Sequence, residues 1–124
     1  MRLWQFLGLL GVCFLVQQSL TSSPAVEIAL PGGDKALHFL AYSSLMLWFG
    51  FIYLPGKAQL MIGAGLTLMG ITVEILQKTT GYRSFEYSDL LFNSLGVAAG
   101  WVFARTRLSM TLIRLERVLA LPKR

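Results

Sequence analysis

The chain has 124 residues, of which 55% are hydrophobic and 14% charged, with a mean hydropathy of +0.62 and a net charge of +5. That balance excludes an ordinary small water-soluble domain and places the sequence in the membrane class. Its single cysteine, Cys13, excludes a disulfide framework.

The first apolar stretch, Leu3 to Leu20, follows Arg2 and approaches the ~20 residues that a spanning helix needs. It reads as a retained transmembrane helix. A cleaved signal peptide is the alternative, suggested by the small residues Ser19, Thr21, Ser22 and Ser23. Cys13 lies inside this stretch and is expected to be a buried small apolar residue, because Val12 suits a lipoprotein processing site poorly. The turn Pro31, Gly32, Gly33 opens the second stretch, Ala36 to Leu54, with Asp34 as the expected N-cap. After Pro55, Gly56 and Lys57 comes the third, Leu60 to Gln77; the fourth runs from Phe85 or Leu90 to Ala104. Trp4, Trp48, Tyr53 and Trp101 fall toward helix ends, where aromatic rings favour the membrane interface.

The tail beyond Ala104 holds Arg105, Arg107, Arg114, Arg117, Lys123 and Arg124 against Glu116 alone, and so carries the whole net charge. Leu108, Leu112, Leu115 and Leu119 recur every three or four residues, which predicts a basic amphipathic segment lying on anionic lipid. Without interleaved aromatics, nucleic acid is not an expected partner. Basic residues stay on the cytoplasmic side, so the C-terminus is placed there. Four crossings bring the N-terminus to the same side. The fold expected is all-α: one polytopic domain over residues 1–124, with four transmembrane helices and the tail 105–124.

In this topology the start of helix two, the end of helix three and the start of helix four share the outer face. Asp34, His38, Glu74 and Asp89 occupy those ends. An ionised side chain at mid-membrane costs roughly 2.5 to 3.5 kcal/mol, so such groups face a bundle interior or a wet cavity. At about 100° per residue, Asp34, His38 and Tyr42 form one stripe, with Lys35 beside it. Gly63, Thr67, Gly70, Glu74 and Gln77 fall within a sector of roughly 80°. A similar sector holds Glu86, Asp89, Asn93, Gly96 and Gly100. Gly96 and Gly100, spaced by four, permit close helix packing.

These residues form three blocks: D-K-x-x-H-F-x-x-Y at Asp34 to Tyr42, E-x-x-Q at Glu74 to Gln77, and R-x(5)-D-x(3)-N-x(2)-G-x(3)-G at Arg83 to Gly100. In order and spacing they resemble the VanZ-like family of small bacterial membrane proteins, over a motif-bearing core of residues 34–104. The resemblance implies a four-helix protein of the bacterial inner membrane and cell envelope. The family's namesake is associated with resistance to the glycopeptide antibiotic teicoplanin. No reaction follows from the resemblance.

Four readings compete for the polar cluster. As an active site, His38 is the acid or base, with Glu74 and Asp89 as carboxylates that orient it or exchange protons. As a binding or regulatory site, Arg83 and Lys35 hold an anionic lipid or lipid-linked cell-wall precursor while Asp34, Tyr42, Gln77 and Asn93 order the pocket. As a scaffold, Asp34 pairs with Lys35, His38 with Glu74 and Arg83 with Asp89. As a proton-coupled transporter, the chain needs a homo-oligomer to enclose a pathway. No cofactor is expected, and no metal either, since H-E-x-x-H or an equivalent spacing is missing.

Overall fold

The computed structural model describes residues 2–24, 27, 29–106 and 118. It comprises α1 (Arg2–Leu20), α2 (Gly33–Ile52), α3 (Lys57–Thr79) and α4 (Tyr87–Ala104), with no strand among the described residues. By length and composition α1, α2 and α3 can cross a membrane. α4 is the shortest, at 18 residues, and carries Asp89 and Asn93. The expected amphipathic tail segment lies almost wholly outside the described residues.

Helix starts follow backbone chemistry more than side-chain caps. Gly32, at φ +75°, adopts the left-handed conformation that glycine takes without steric cost, and α2 begins at Gly33. Asp34 is therefore not the N-cap expected of it. It lies inside the first turn, after the N-cap Gly32. Its carboxylate still favours the positive end of the helix dipole. At the far end of α2, buried Gln59 donates from Nε2 to the carbonyls of Gly50 (3.0 Å) and Tyr53 (2.9 Å). Those carbonyls lie at a helix terminus, where they lack intrahelical donors.

Burial runs opposite to that of a water-soluble protein. Leu3, Phe6, Leu60, Met61, Leu68, Ile75, Val102 and Phe103 face outward. His38, Gln59, Glu74, Gln77, Asp89 and Asn93 are buried. Lipid is the medium in which that distribution costs least. Cys13 belongs to the outward apolar surface of α1, not to the core expected for it.

α2 and α4 pack in parallel. Lys35 and His38 lie beside Asp89, Phe39 beside Gly96, Ser43 beside Gly100, and Gly50 beside Ala104. A Cβ at Gly96 would lie 2.5 Å from the Phe39 carbonyl oxygen, and one at Gly100 would lie 2.8 Å from Met46 Cβ. Two backbones in such contact require glycine on one of them. Tyr42, Met46, Leu66 and Val97 fill the centre among α2, α3 and α4.

α1 lies antiparallel to α2, with Gly8 against Trp48 and Phe49 and Gly11 against Leu45. Trp48 Nε1 donates to the Trp4 carbonyl (3.0 Å), and Gln5 Nε2 to Tyr53 Oη (2.9 Å). The Arg105 guanidinium sits 3.7 Å from the Trp101 ring centroid. One end of the bundle is thus aromatic. The other end gathers the ionisable residues.

Candidate functional site

The end of α1, the start of α2, the end of α3 and the start of α4 meet at the polar end. His38 is 8% exposed, Asp89 8% and Glu74 0%. Each offers one ligand-capable atom, and these three atoms lie within 4.8 Å of one another. His38 Nε2 is 4.0 Å from Asp89 Oδ2. Glu74 Oε2 accepts a hydrogen bond from the Glu86 backbone N–H at 3.3 Å, while its Oε1 has no partner among the described residues.

Lys35 ties the rim together. Its Nζ lies 2.8 Å from Glu86 Oε2, 3.4 Å from Asp34 Oδ2 and 3.4 Å from Asp89 Oδ1. Glu86, which sequence reasoning left out of the site, is therefore its nearest partner. The hydrogen bond from Lys35, with a second from Ser88, holds the Glu86 carboxyl below its usual range. A signal for it existed: Glu86 falls in the same α4 sector as Asp89 and Asn93.

Two expected pairings are corrected. The ion-pair contact of His38 is with Asp89, because α2 packs closely on α4, while Glu74 stays within 4.8 Å of both without pairing. Arg83 does not pair with Asp89. Its Nη1 donates to the Ser19 carbonyl (3.1 Å), which also accepts from Gln77 Nε2 (2.7 Å), and Tyr82 Oη donates to the Leu20 carbonyl. The α3–α4 connection thereby satisfies carbonyls that the end of α1 leaves open. Sequence periodicity carried no sign of the Ser19 carbonyl, because a backbone acceptor has no side-chain signature.

Below the ionisable layer, each helix contributes a second residue one turn away. Tyr42 follows His38, Asn93 follows Asp89, and Gly70 precedes Glu74. A Cβ at Gly70 would lie 3.2 Å from Asn93 Nδ2 and 3.3 Å from Tyr42 Oη, so the missing side chain makes room for both. Tyr42 Oη and both amide atoms of Asn93 are buried and without hydrogen-bond partners among the described residues.

Beside this centre, a crevice of about 490 Å³ opens between α1 and α2. Phe14, Leu15, Leu37 and Leu45 give it apolar walls, and Arg83, His38, Asp34 and Glu27 give it a polar rim.

The three sequence blocks thus occupy one end of one bundle, and a family model for VanZ/LLP1 matches residues 4–111. The chain belongs to the VanZ/LLP1 family. No curated protein and no solved structure matches it. For this VanZ/LLP1 chain the matched span includes α1 as well as the motif-bearing helices. With three membrane-length apolar helices and an outward apolar surface, it is a membrane protein.

Proposed function

We propose that this protein is a multi-pass component of the bacterial inner membrane that binds a phosphate-bearing envelope lipid at its outer face. That lipid is an anionic phospholipid or a lipid-linked cell-wall precursor. α4 forms the fourth crossing, parallel to α2, and both termini lie in the cytoplasm. The observation that carries this reading is the crevice between α1 and α2, whose apolar walls suit an acyl or prenyl chain and whose rim suits a headgroup.

Arg83 uses one of its five N–H donors on the Ser19 carbonyl, leaving others for a phosphate oxygen. Asp34 and Glu27 on the same rim suit hydroxyls or amines carried beside the phosphate. His38 joins the crevice to the buried centre, where Asp89 lies 4.0 Å behind it. Occupying or sequestering a cell-wall precursor is the route by which such a protein would alter glycopeptide susceptibility.

The test is purification in mild detergent followed by mass spectrometry of retained lipids. Wild type is expected to retain a phosphate lipid enriched over the bulk membrane. Arg83→Ala is expected to lose it at least tenfold, with Arg83→Lys partly restoring it. Identical lipid profiles in all three would overturn the proposal.

A scaffold reading draws on one observation, the three carboxylates gathered around Lys35. Under it, His38→Ala, Glu74→Gln, Arg83→Ala and Asp89→Asn lower membrane abundance together. Under lipid binding, abundance holds and the envelope phenotype is lost.

A further inference from the structure

We infer that His38, Glu74 and Asp89 form a binding site for one divalent first-row transition cation, Mn²⁺ or Zn²⁺. This goes beyond lipid binding and does not rest on it. The Glu74 carboxylate is fully buried, forms no direct ion pair among the described residues, and leaves Oε1 unpaired. Arg83 attracts it only from a distance, its guanidinium being turned to the Ser19 carbonyl. A buried carboxylate without a direct partner is costly, and buried charges are ordinarily paired or coordinate metals.

His38 and Asp89 supply the remaining ligands, and neither Arg83 nor Lys35 makes an ion pair with Glu74 among the described residues. Lys35 reaches Asp89 only through Oδ1 at 3.4 Å and is held nearer to Glu86 at 2.8 Å, which leaves Asp89 Oδ2 facing His38. One imidazole nitrogen and two carboxylate oxygens favour Mn²⁺ or Zn²⁺ over Mg²⁺ and Ca²⁺, which prefer oxygen-only shells. The present spread of 4.8 Å exceeds the edge of a tetrahedral site. With metal–ligand bonds of about 2.1 Å that edge is about 3.4 Å, so binding draws the ligands inward by about an ångström.

A second observation is independent of the triad. Asn93 is 2% exposed and Tyr42 0%, and the side-chain amide and hydroxyl both lack partners among the described residues. Both lie one helical turn below the triad, in the space Gly70 leaves. A hydrated cation would satisfy them, because metal-bound water donates to an amide oxygen and a phenol donates to bound hydroxide or carboxylate. Sequence spacing concealed this arrangement, since each ligand comes from a different helix.

The full chain, purified in detergent and stripped with a chelator, is titrated with Mn²⁺ by calorimetry and by electron paramagnetic resonance. One saturable site per chain is expected, insensitive to tenfold excess Mg²⁺. Pulsed spectra are expected to show ¹⁴N coupling from His38. Glu74→Gln and Asp89→Asn should each weaken binding at least tenfold, while Cys13→Ser binds as wild type. Absence of a saturable site, or unchanged affinity in the Glu74 and Asp89 variants, overturns the proposal. Should those variants fail to fold, the wild-type spectrum decides: without ¹⁴N coupling the site is not this one. Lipid retention measured on the chelator-stripped protein keeps this outcome separate from the crevice's.

Discussion

Replacing Gly96 with alanine tests the packing that brings α4 onto α2. The new Cβ would lie 2.5 Å from the Phe39 carbonyl oxygen and 3.2 Å from Phe39 Cα. An ordinary carbon–oxygen contact is about 3.3 Å, so the helices must separate by about 0.8 Å, and both obstructing atoms belong to backbone. Overpacking of this kind costs roughly 1 to 3 kcal/mol, and rigid backbone places it near the upper value. Against it stands a gain of about 1 kcal/mol from replacing glycine inside a helix. The net expectation is a loss of about 2 kcal/mol, or roughly thirtyfold in the folded ratio. Gly65 is the control, because nothing lies within 4 Å of a Cβ there. Gly65→Ala should be neutral or stabilising. Unfolding in detergent, followed by circular dichroism against increasing denaturing surfactant, measures both variants. Equal stability of Gly96→Ala and Gly65→Ala would refute the parallel close packing.

Gln59→Met removes the two hydrogen bonds to Gly50 and Tyr53 and should cost about 2 kcal/mol in the same assay; an unchanged midpoint would contradict the capping role. Glu74→Gln removes a buried charge and should leave the metal-free protein at least as stable as wild type, gaining about 1 kcal/mol; a loss above about 2 kcal/mol would show that the carboxylate already has a partner. Glu86 has its carboxyl held below the ordinary value of 4.5 by Lys35. A depressed folded value means that the contribution of this pair is complete above that ordinary value and fades as pH falls through the folded one. The pair sits at the solvent-screened rim, so Glu86→Gln should cost little at neutral pH. Wild type and variant should converge as melts are carried to progressively lower pH; a constant gap would contradict the ion pair.

Much of the fold was legible because lipid-facing helices announce themselves by apolar length. The runs Ala36 to Leu54 and Leu60 to Gln77 mark α2 and α3 to within a few residues. The buried faces of α3 and α4 were legible as well, since Glu74 with Gln77, and Asp89 with Asn93, repeat at helical spacing among small residues. Spacing along one helix does not fix its axial offset or its rotation relative to a neighbour. That is why the expected Asp34–Lys35 pair is present but the closer Glu86 partner went unseen, and why Arg83 was assigned to a carboxylate when it reaches a carbonyl. Asp34 was misread as a cap because glycine at positive φ begins the helix without one. Cys13 was misread as core because α1 turns that face outward.

The claim on which the functional reading depends is that polar groups from three helices share one end of the bundle, at the outer membrane surface. Single cysteines placed at Asp34, Lys78 and Glu86 in a Cys13→Ser background can be labelled in intact cells with a membrane-impermeant maleimide, with one at Lys57 for comparison. Positions 34, 78 and 86 are expected to react from outside, and position 57 only after permeabilisation. Reaction of 34 and 86 from opposite sides of the membrane would contradict the account.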